Sequence, residues 1–480
     1  MVRLLAAVLA SLVVVTGAAP AMATVPTDRV AISGQAEWSP RPITWRPCAD
    51  EFPDIGSPEG DCGTLTVPLD WRRPSGATVD LRVARHRATD PARRIGVVLV
   101  NPGGPGSSNA EFALAENYFS PEIRARFDVV GLDMRGTEGG QIIRCDTPLD
   151  PPSTDPADAA QFAALRQYNQ QVIADCRAAN GPLFDHADTG IGAHDMEALR
   201  RALGERKISY QGVSYGTLLG QQYAERYGDR VRAMVLDSNI DHSVDLRHFM
   251  TDRAEAAEES FLAFVRWCDE TPACVLHGKD VLATWQQALA MADEIPLWPN
   301  WLRDWVFSLL YGPDYAEIAR LIADTAAGEW PVTTMAEYNY ASIRLATVCQ
   351  DFALRIKDFR QYSALRAEEL RLAPLMRGGA LGHDEAAACI GIPGPPANPP
   401  HRLDISDAPT VLLLNSLYDP ATPYEWARNV HRQASTNSVL LTYEGGGHGV
   451  YDRGACTRAA VDNYLLTLKT PKRGATCPAA

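Results

Sequence analysis

The sequence predicts an α/β fold: a mostly parallel β-sheet flanked by helices, with an inserted helical cap. Short apolar runs bounded by turn residues recur along the chain, as in strands that are buried on both faces. Helical patterns, such as those at 194–203 and 218–227, lie between these runs, and the alternation is typical of a parallel sheet. The predicted strands are 95–101, 127–133, 207–212, 231–236, 411–415 and 438–443.

A block without strand patterns spans 241–400 and interrupts the strand series. We therefore expect a helical cap at 241–400 between the two parts of one core, 41–240 and 401–480. Three tryptophans of the block either pack inside the cap or line a side-chain pocket. They are Trp298, Trp301 and Trp305. The predicted cap helices are 253–267, 280–293, 314–326 and 335–359.

The first 23 residues have the pattern of a secretory signal peptide. Arg3 supplies a positive charge, 4–15 is apolar, and small residues lead to a cleavage site after Ala23. Twelve apolar residues fall short of the roughly 20 that a membrane-spanning helix needs. We therefore expect a secreted, extracellular protein whose residues 24–40 form a leader or propeptide.

The composition of the chain limits which classes of binding partner are expected. It has 480 residues, 46% of them hydrophobic, which is enough for a large core, and its formal net charge is −14. An acidic chain repels nucleic acid and anionic lipid, so neither nucleic acid nor membrane is an expected partner.

Ten cysteines follow the signal sequence, and an even number in an exported chain predicts disulfides. The sequence contains no Cys-x-x-Cys pair and no His cluster at ligand spacing, so we expect no metal site. Spacing alone does not fix the connectivity. Pairing neighbours in order gives 48–62, 145–176, 268–274, 349–389 and 456–477.

The sharpest chemical signal is the Gly-x-Ser-x-Gly motif at 212–216, which follows one predicted strand and precedes a predicted helix. This is the context of a nucleophile elbow, in which the serine occupies a strained turn between strand and helix. The competing interpretation is an ordinary Gly-rich turn. The placement favours an α/β-hydrolase fold with Ser214 as the nucleophile.

A serine hydroxyl needs a base and an orienting acid, which in this fold follow in the order Asp, His. Asp419 comes just after a predicted strand, and His448 lies in a Gly-rich loop after the next one. Asp237, also at a strand end, is the rival acid. Because His448 must be neutral to accept a proton, we expect activity to fall on the acid side of roughly pH 6.

The Asn-Pro-Gly-Gly-Pro-Gly segment at 101–106 follows a predicted strand and is a candidate oxyanion loop. Its Gly104 N–H and the N–H of Tyr215 would hold the tetrahedral intermediate. The competing interpretation, a phosphate-binding loop, lacks the Lys-Ser/Thr pair and the Gly-x-Gly-x-x-Gly spacing. The chemistry needs no cofactor.

These motifs, with Asp-Met-Arg-Gly at 133–136, resemble those of the secreted tripeptidyl aminopeptidases of actinobacteria, which are kin to the prolyl aminopeptidases. The resemblance implies a serine exopeptidase that releases tripeptides, other short peptides or Pro-type units from free peptide N-termini. The segment 133–140 departs from the pattern of the group, which more often has Pro after the Asp. Arg135 is expected to be a structural ion-pair residue.

An aminopeptidase must recognise a substrate ammonium, for which a carboxylate in or near the cap is required. Asp351, in Cys-x-Asp at 349–351, resembles an element of the group and is one candidate; the alternative is a solvated helix-face residue. Two other functions stay open: a carboxylic ester hydrolase with the same triad, and a non-catalytic binding protein, which the intact Ser, Asp and His disfavour.

Overall fold

The computed structural model describes residues 38–50, 60–137, 141–145, 152–294, 300–329, 341–379 and 381–479. The predicted signal peptide, most of the predicted leader and Trp298 lie outside these residues. One compact unit extends from Ser39 to Ala480.

A single sheet runs through the described residues in the order β1-β2-β3-β5-β4-β6-β7-β8-β9-β10. Neighbours from β5 to β10 are parallel, and the pairs at the β1 end are antiparallel. This is the α/β-hydrolase fold. The strands are β1 (Arg46–Pro47), β2 (Gly60–Pro68), β3 (Thr78–His86), β4 (Gly96–Asn101), β5 (Phe127–Leu132), β6 (Ile208–Val213), β7 (Val231–Asp237), β8 (Val411–Tyr418), β9 (Ser438–Gly446) and β10 (Thr476–Cys477).

All six predicted strands are confirmed, as β4 to β9, and most of their residues are buried within the sheet. The antiparallel strands β2 and β3 were not predicted. They carry charged residues between their buried positions, as expected where a sheet faces solvent on one side.

Helices cover the sheet and form the cap. The helices are α1 (Asn109–Leu114), α2 (Pro121–Arg126), α3 (Ala159–Asn180), α4 (Thr189–Ala202), α5 (Tyr215–Tyr227), α6 (Leu246–Glu270), α7 (Val281–Ala292), α8 (Trp301–Tyr311), α9 (Tyr315–Ala326), α10 (Ala341–Asp351), α11 (Phe359–Leu372), α12 (Leu381–Ala388), α13 (Tyr424–Gln433) and α14 (Ala455–Thr467). The helix predicted over 335–359 ends at Asp351, and its first residues lie outside the described ones.

The helices α6 to α12 lie between β7 and β8, and those from α6 to α9 share a hydrophobic core of their own, around Phe261 and Trp285. Trp301 and Trp305 pack against this core, which matches the packing alternative rather than the pocket. Helix α3, from the segment expected to belong to the hydrolase core, packs with α6, α11 and α12 in a second hydrophobic cluster around Tyr362. Its Asn169 amide donates to the carbonyl oxygens of Ala387, in the last turn of α12, and Ile390, just after it. The helical region therefore draws on two segments of the chain.

Five disulfides join all ten cysteines, and their pairing is the neighbour-to-neighbour scheme, which is thereby confirmed. The Cys349–Cys389 bond ties the end of α10 to the end of α12. None of the described helices combines the length and the apolar character that crossing a bilayer requires.

Candidate active site

Ser214 occupies the sharp turn between β6 and α5, with φ 57° and ψ −125°. A non-glycine residue in this backbone region is strained, and such strain is typical of a nucleophile elbow. The flanking glycines have no room for a side chain. A Cβ on Gly212 would lie 2.4 Å from the carbonyl oxygen of Gly216, and one on Gly216 would lie 2.5 Å from that of Asn101.

Asp419 and His448 are in direct contact at the ends of β8 and β9. His448 Nδ1 lies 3.0 Å from both carboxylate oxygens of Asp419, and Asp419 is fully buried. Thr422 Oγ1 donates to Asp419 Oδ2 at 2.8 Å, and the backbone N–H groups of Ala421 and Thr422 donate to Oδ1. Burial opposes ionisation of Asp419, but the charge of His448 and these hydrogen bonds outweigh it and lower the pKa of the carboxyl. The Asp419 carboxylate can therefore stabilise the positive charge of a protonated His448 ring.

Asp237, the rival acid, has a different set of partners. It lies at the end of β7, where its carboxylate accepts hydrogen bonds of 2.9–3.0 Å from the backbone N–H groups of Val450 and Tyr451. Burial raises the pKa of Asp237 to about 7, against the effect of these hydrogen bonds. Asp237 thus holds the loop that follows His448, and Asp419 is the carboxylate that contacts the imidazole.

The elbow and the histidine loop meet at the end of β7. Ser214 N donates to the carbonyl oxygen of Asp237 at 2.9 Å, and Gly449 N donates to Ser238 Oγ at 2.8 Å. No hydrogen bond joins the hydroxyl of Ser214 to His448 in the described part of the chain, and in unliganded enzymes such contacts commonly tighten only when substrate binds.

The Gly-rich loop after β4 packs directly on the elbow. A Cβ on Gly103 would lie 2.8 Å from Ser214 Cβ and 3.0 Å from the backbone nitrogen of Tyr215. Gly103 and Gly104 have φ of 97° and 113°, which side chains disfavour. Tyr215 is the first residue of α5, where backbone N–H groups have no acceptor within the helix. The loop therefore packs against the Ser214 turn, and the Tyr215 N–H at the start of α5 lies in the same place, as one donor of an oxyanion hole would.

Comparison with known proteins agrees with this geometry. Residues 375–477 match the family described as TAP-like protein. The chain is 29% identical over 481 residues to Serine protease Hip1 of Mycobacterium tuberculosis, covering 91% of each chain. It is 28% identical to Tripeptidyl aminopeptidase of Streptomyces lividans, over 91% of this chain and 86% of that protein. It is 29% identical to Carboxylesterase B of M. tuberculosis, over 90% and 89%. The resemblance drawn from the motifs is confirmed. The protein is a serine hydrolase of the α/β fold.

Arg135 of the hydrolase is a buried ion-pair residue, as the sequence predicted. Its guanidinium binds both oxygens of Asp195, at 2.6 and 2.8 Å, and donates to the carbonyl oxygens of Pro68 and Leu69. These contacts hold the turn after β5 against β2 and α4. The turn borders a cavity beside the oxyanion loop. The cavity is lined by residues that include Gly103, Pro105, Met134, Tyr215, Ile343 and Thr347.

Asp351 lies close to the active site of the hydrolase but is fully buried behind it. Its Oδ2 accepts hydrogen bonds from Thr189 Oγ1 at 2.5 Å and Tyr215 Oη at 2.6 Å, and its Oδ1 accepts from Asn398 Nδ2 at 2.8 Å and Thr189 N at 3.0 Å. Burial raises its pKa, against the effect of these hydrogen bonds. It is not a solvated helix-face residue, and both of its oxygens are already bound by the chain.

The cap contacts the loop of His448 through Tyr311, the last residue of α8. The Tyr311 carbonyl oxygen accepts a 3.0 Å hydrogen bond from His448 N, and the two rings lie 4.9 Å apart, edge to face. Tyr311 was not predicted, because the contact joins segments 137 residues apart. Thr422 was also missed, although an Asp followed three residues later by Thr is a recognisable turn signal. Among the described residues no group of three or more His, Cys, Asp or Glu is placed to hold a metal ion.

Proposed function

We propose that this hydrolase is a secreted serine exopeptidase that releases tripeptides or Pro-type units from free peptide N-termini. The observation that carries the proposal is the contact of His448 with Asp419 at the sheet edge where the strained Ser214 and the Gly-rich loop also meet. The similarity to Tripeptidyl aminopeptidase over most of both chains supports a peptide substrate.

In the proposed reaction, Ser214 Oγ attacks the scissile carbonyl carbon while His448 Nε2 takes the hydroxyl proton. Asp419 holds Nδ1–H and stabilises the imidazolium that forms. The oxyanion accepts hydrogen bonds from Gly104 N–H and Tyr215 N–H. His448 then gives its proton to the leaving amine, and water, activated by the same imidazole, hydrolyses the acyl-enzyme.

The cap explains why a hydrolase of this kind would act at chain ends. Helix α8 contacts the histidine loop through Tyr311, and the proposal assigns to it the role of keeping the backbone of a long substrate from running past the triad on that side. Only an N-terminal segment short enough to fit beneath the cap reaches Ser214.

Secretion is part of the proposal. The signal pattern that ends at Ala23 and the five disulfides both favour an exported chain, because disulfides persist in oxidising compartments. N-terminal sequencing of protein recovered from culture medium should begin at Thr24, or later if a leader is also removed. Retention of the full chain inside the cell would contradict it.

A carboxylic ester hydrolase with the same triad is the second candidate, favoured by the similarity to Carboxylesterase B. The two are separated by incubating wild type and Ser214→Ala with a library of unblocked peptides and its N-acetylated counterpart. We expect mass spectrometry to show N-terminal fragments only from unblocked peptides and only with wild type. Equal cleavage of simple esters and no cleavage of peptides would favour the esterase.

A further inference from the structure

The cavity beside the oxyanion loop lies next to the nucleophile. It is bordered by the loop after β4, the turn after β5, the starts of α1, α4 and α5, and one face of α10. Gly103 and Tyr215 line it, and both adjoin Ser214. A Cβ on Gly103 would lie 2.8 Å from Ser214 Cβ, and Tyr215 is the next residue of the chain. Ser107 and Met134 of the lining are partly exposed, so the cavity is reachable from solvent.

The position of the cavity limits which part of a substrate it can receive. In the proposed reaction His448 gives its proton to the leaving amine, so the leaving chain lies on the side of the His448 loop. Among the described residues that line the cavity, none belongs to that loop or to α8. The acyl carbon attached to Ser214 is one bond of about 1.5 Å from the Cα of its own residue. The cavity is therefore placed for the side chain of the residue that supplies the scissile carbonyl.

The cavity offers no unpaired charge to a ligand. Arg135 is the one charged residue among the described residues that line it, and its guanidinium is bound by the Asp195 carboxylate and two carbonyl oxygens. Asp351 is hydrogen bonded to two of the lining residues, but both of its oxygens are already bound by the chain. A charged side chain would lose its water here and gain no opposite charge in return, which is costly.

The rest of the lining suits an uncharged side chain. Pro105, Leu219 and Ile343 contribute apolar surface. Thr347 lies one turn after Ile343 on the same face of α10, and its hydroxyl already donates to the Ile343 carbonyl oxygen at 2.8 Å. Asn109 is 2% exposed, and its Oδ1 has no hydrogen-bond partner among the described residues. This lining residue therefore retains an acceptor that a neutral amide can use.

The α10 wall of the cavity is held in place at two points. A Cβ on Gly136 would lie 2.6 Å from Ile343 Cδ1, so the Ile343 side chain packs on the turn after β5. The Cys349–Cys389 bond anchors the end of the same helix. A wall fixed in this way cannot easily move aside to let water solvate a buried charge.

We propose that this cavity binds the side chain of the residue whose carbonyl is cleaved, and that it admits apolar and amide side chains but excludes charged ones. The inference rests on the proposed exopeptidase function and adds the class of side chain that stands at the cleavage site.

The test uses pairs of side chains that are similar in size and differ in charge. The substrates are p-nitroanilides of the sequence Ala-Ala-Xaa with a free N-terminus, in which Xaa is norleucine, lysine, glutamine or glutamate. We expect wild type to favour norleucine over lysine, and glutamine over glutamate, by at least about 100-fold in kcat/KM, because each charged side chain is desolvated without a partner.

Two substitutions at one position of the wall test whether this cavity is responsible. Thr347→Asp adds a carboxylate, and Thr347→Asn is the matched neutral change. Thr347→Asp should raise the lysine-to-norleucine ratio of kcat/KM by about tenfold or more, whereas Thr347→Asn should raise it by less than about twofold. Each ratio is measured with one enzyme, so partial unfolding of a variant does not alter it. Asp324→Asn, at an exposed position of α9, should match wild type on every substrate.

The same four side chains are also presented as p-nitrophenyl esters of N-acetyl amino acids, which need no free N-terminus. If wild type hydrolyses the lysine and norleucine compounds of either series equally well, or if Thr347→Asp leaves their ratio unchanged, the inference is refuted. If the peptide anilides are not cleaved while the esters show the expected preference and its response to Thr347→Asp, the exopeptidase function fails and the assignment of the cavity stands.

Discussion

Replacing Asp351 by alanine would test what its buried carboxylate does in this hydrolase. The sequence suggested that its carboxylate binds the substrate ammonium, whereas the structure shows it buried and hydrogen bonded to Thr189, Tyr215 and Asn398. Tyr215 follows the nucleophile, so the carboxylate connects the end of α10 to the start of α5. We predict that Asp351→Ala damages stability and turnover together, instead of substrate affinity alone.

The magnitude follows from the groups that the substitution leaves behind. Four hydrogen bonds to Asp351 disappear, each with a net contribution of about 1 kcal/mol to the free energy of unfolding. Removing a desolvated carboxyl, whose pKa is raised by burial, offsets part of this loss. We expect the free energy of unfolding to fall by about 3 kcal/mol and Tm by about 3 °C. Because Tyr215 loses its anchor, kcat should fall about tenfold on free and blocked substrates alike.

The assay is differential scanning fluorimetry beside steady-state kinetics on a free and an N-acetylated peptide anilide. Asp324→Ala, an exposed position in the same cap, is the control and should leave both measurements unchanged. An unaltered Tm in Asp351→Ala, with KM raised only for the free peptide, would show that Asp351 meets the substrate. That result would refute the interpretation that Asp351 only supports the structure around Tyr215.

Three further predictions concern the triad, the pH dependence and the disulfides. Asp419→Asn should lower kcat by about 10⁴ and slow labelling of Ser214 by a fluorophosphonate, with circular dichroism unchanged; a drop below tenfold would return the acid role to Asp237. Burial lowers the pKa of His242 to about 4. As pH falls below about 6.5, the imidazole is therefore protonated in the unfolded chain but stays neutral in the folded chain. The stability that depends on a neutral His242 is complete above pH 6.5 and is lost as pH falls towards 4. Between pH 7 and 4.5, the free energy of unfolding measured in urea should therefore fall by about 2 to 3 kcal/mol more for wild type than for His242→Gln. An equal fall for the two proteins would contradict this. Replacing both Cys349 and Cys389 by Ser opens a loop of 40 residues and should cost about 3 to 4 kcal/mol in guanidinium unfolding, whereas a loss under 1 kcal/mol would mean that the unfolded chain is little constrained by this bond.

The sequence by itself determined the central sheet and the positions of the chemical groups. Most residues of β4 to β9 are buried, so each of these strands contains a short, mainly apolar run that is visible locally. The glycines around Ser214 and the polar residues just after β8 and β9 are equally local, because a parallel sheet brings such positions to one edge. The disulfide pairing is the neighbour-to-neighbour scheme that spacing suggested but did not fix, and the structure decided it.

Only the tertiary structure decided which polar groups meet. Whether Asp237 or Asp419 contacts the imidazole depends on how the loop after β9 folds back over β7, and no local pattern encodes that choice. The burial of Asp351 likewise depends on Thr189 and Asn398, which are distant in the chain. A strand or a turn is specified by the side chains of a few consecutive residues, but the partner of a buried charge is set by the packing of segments that the sequence does not connect.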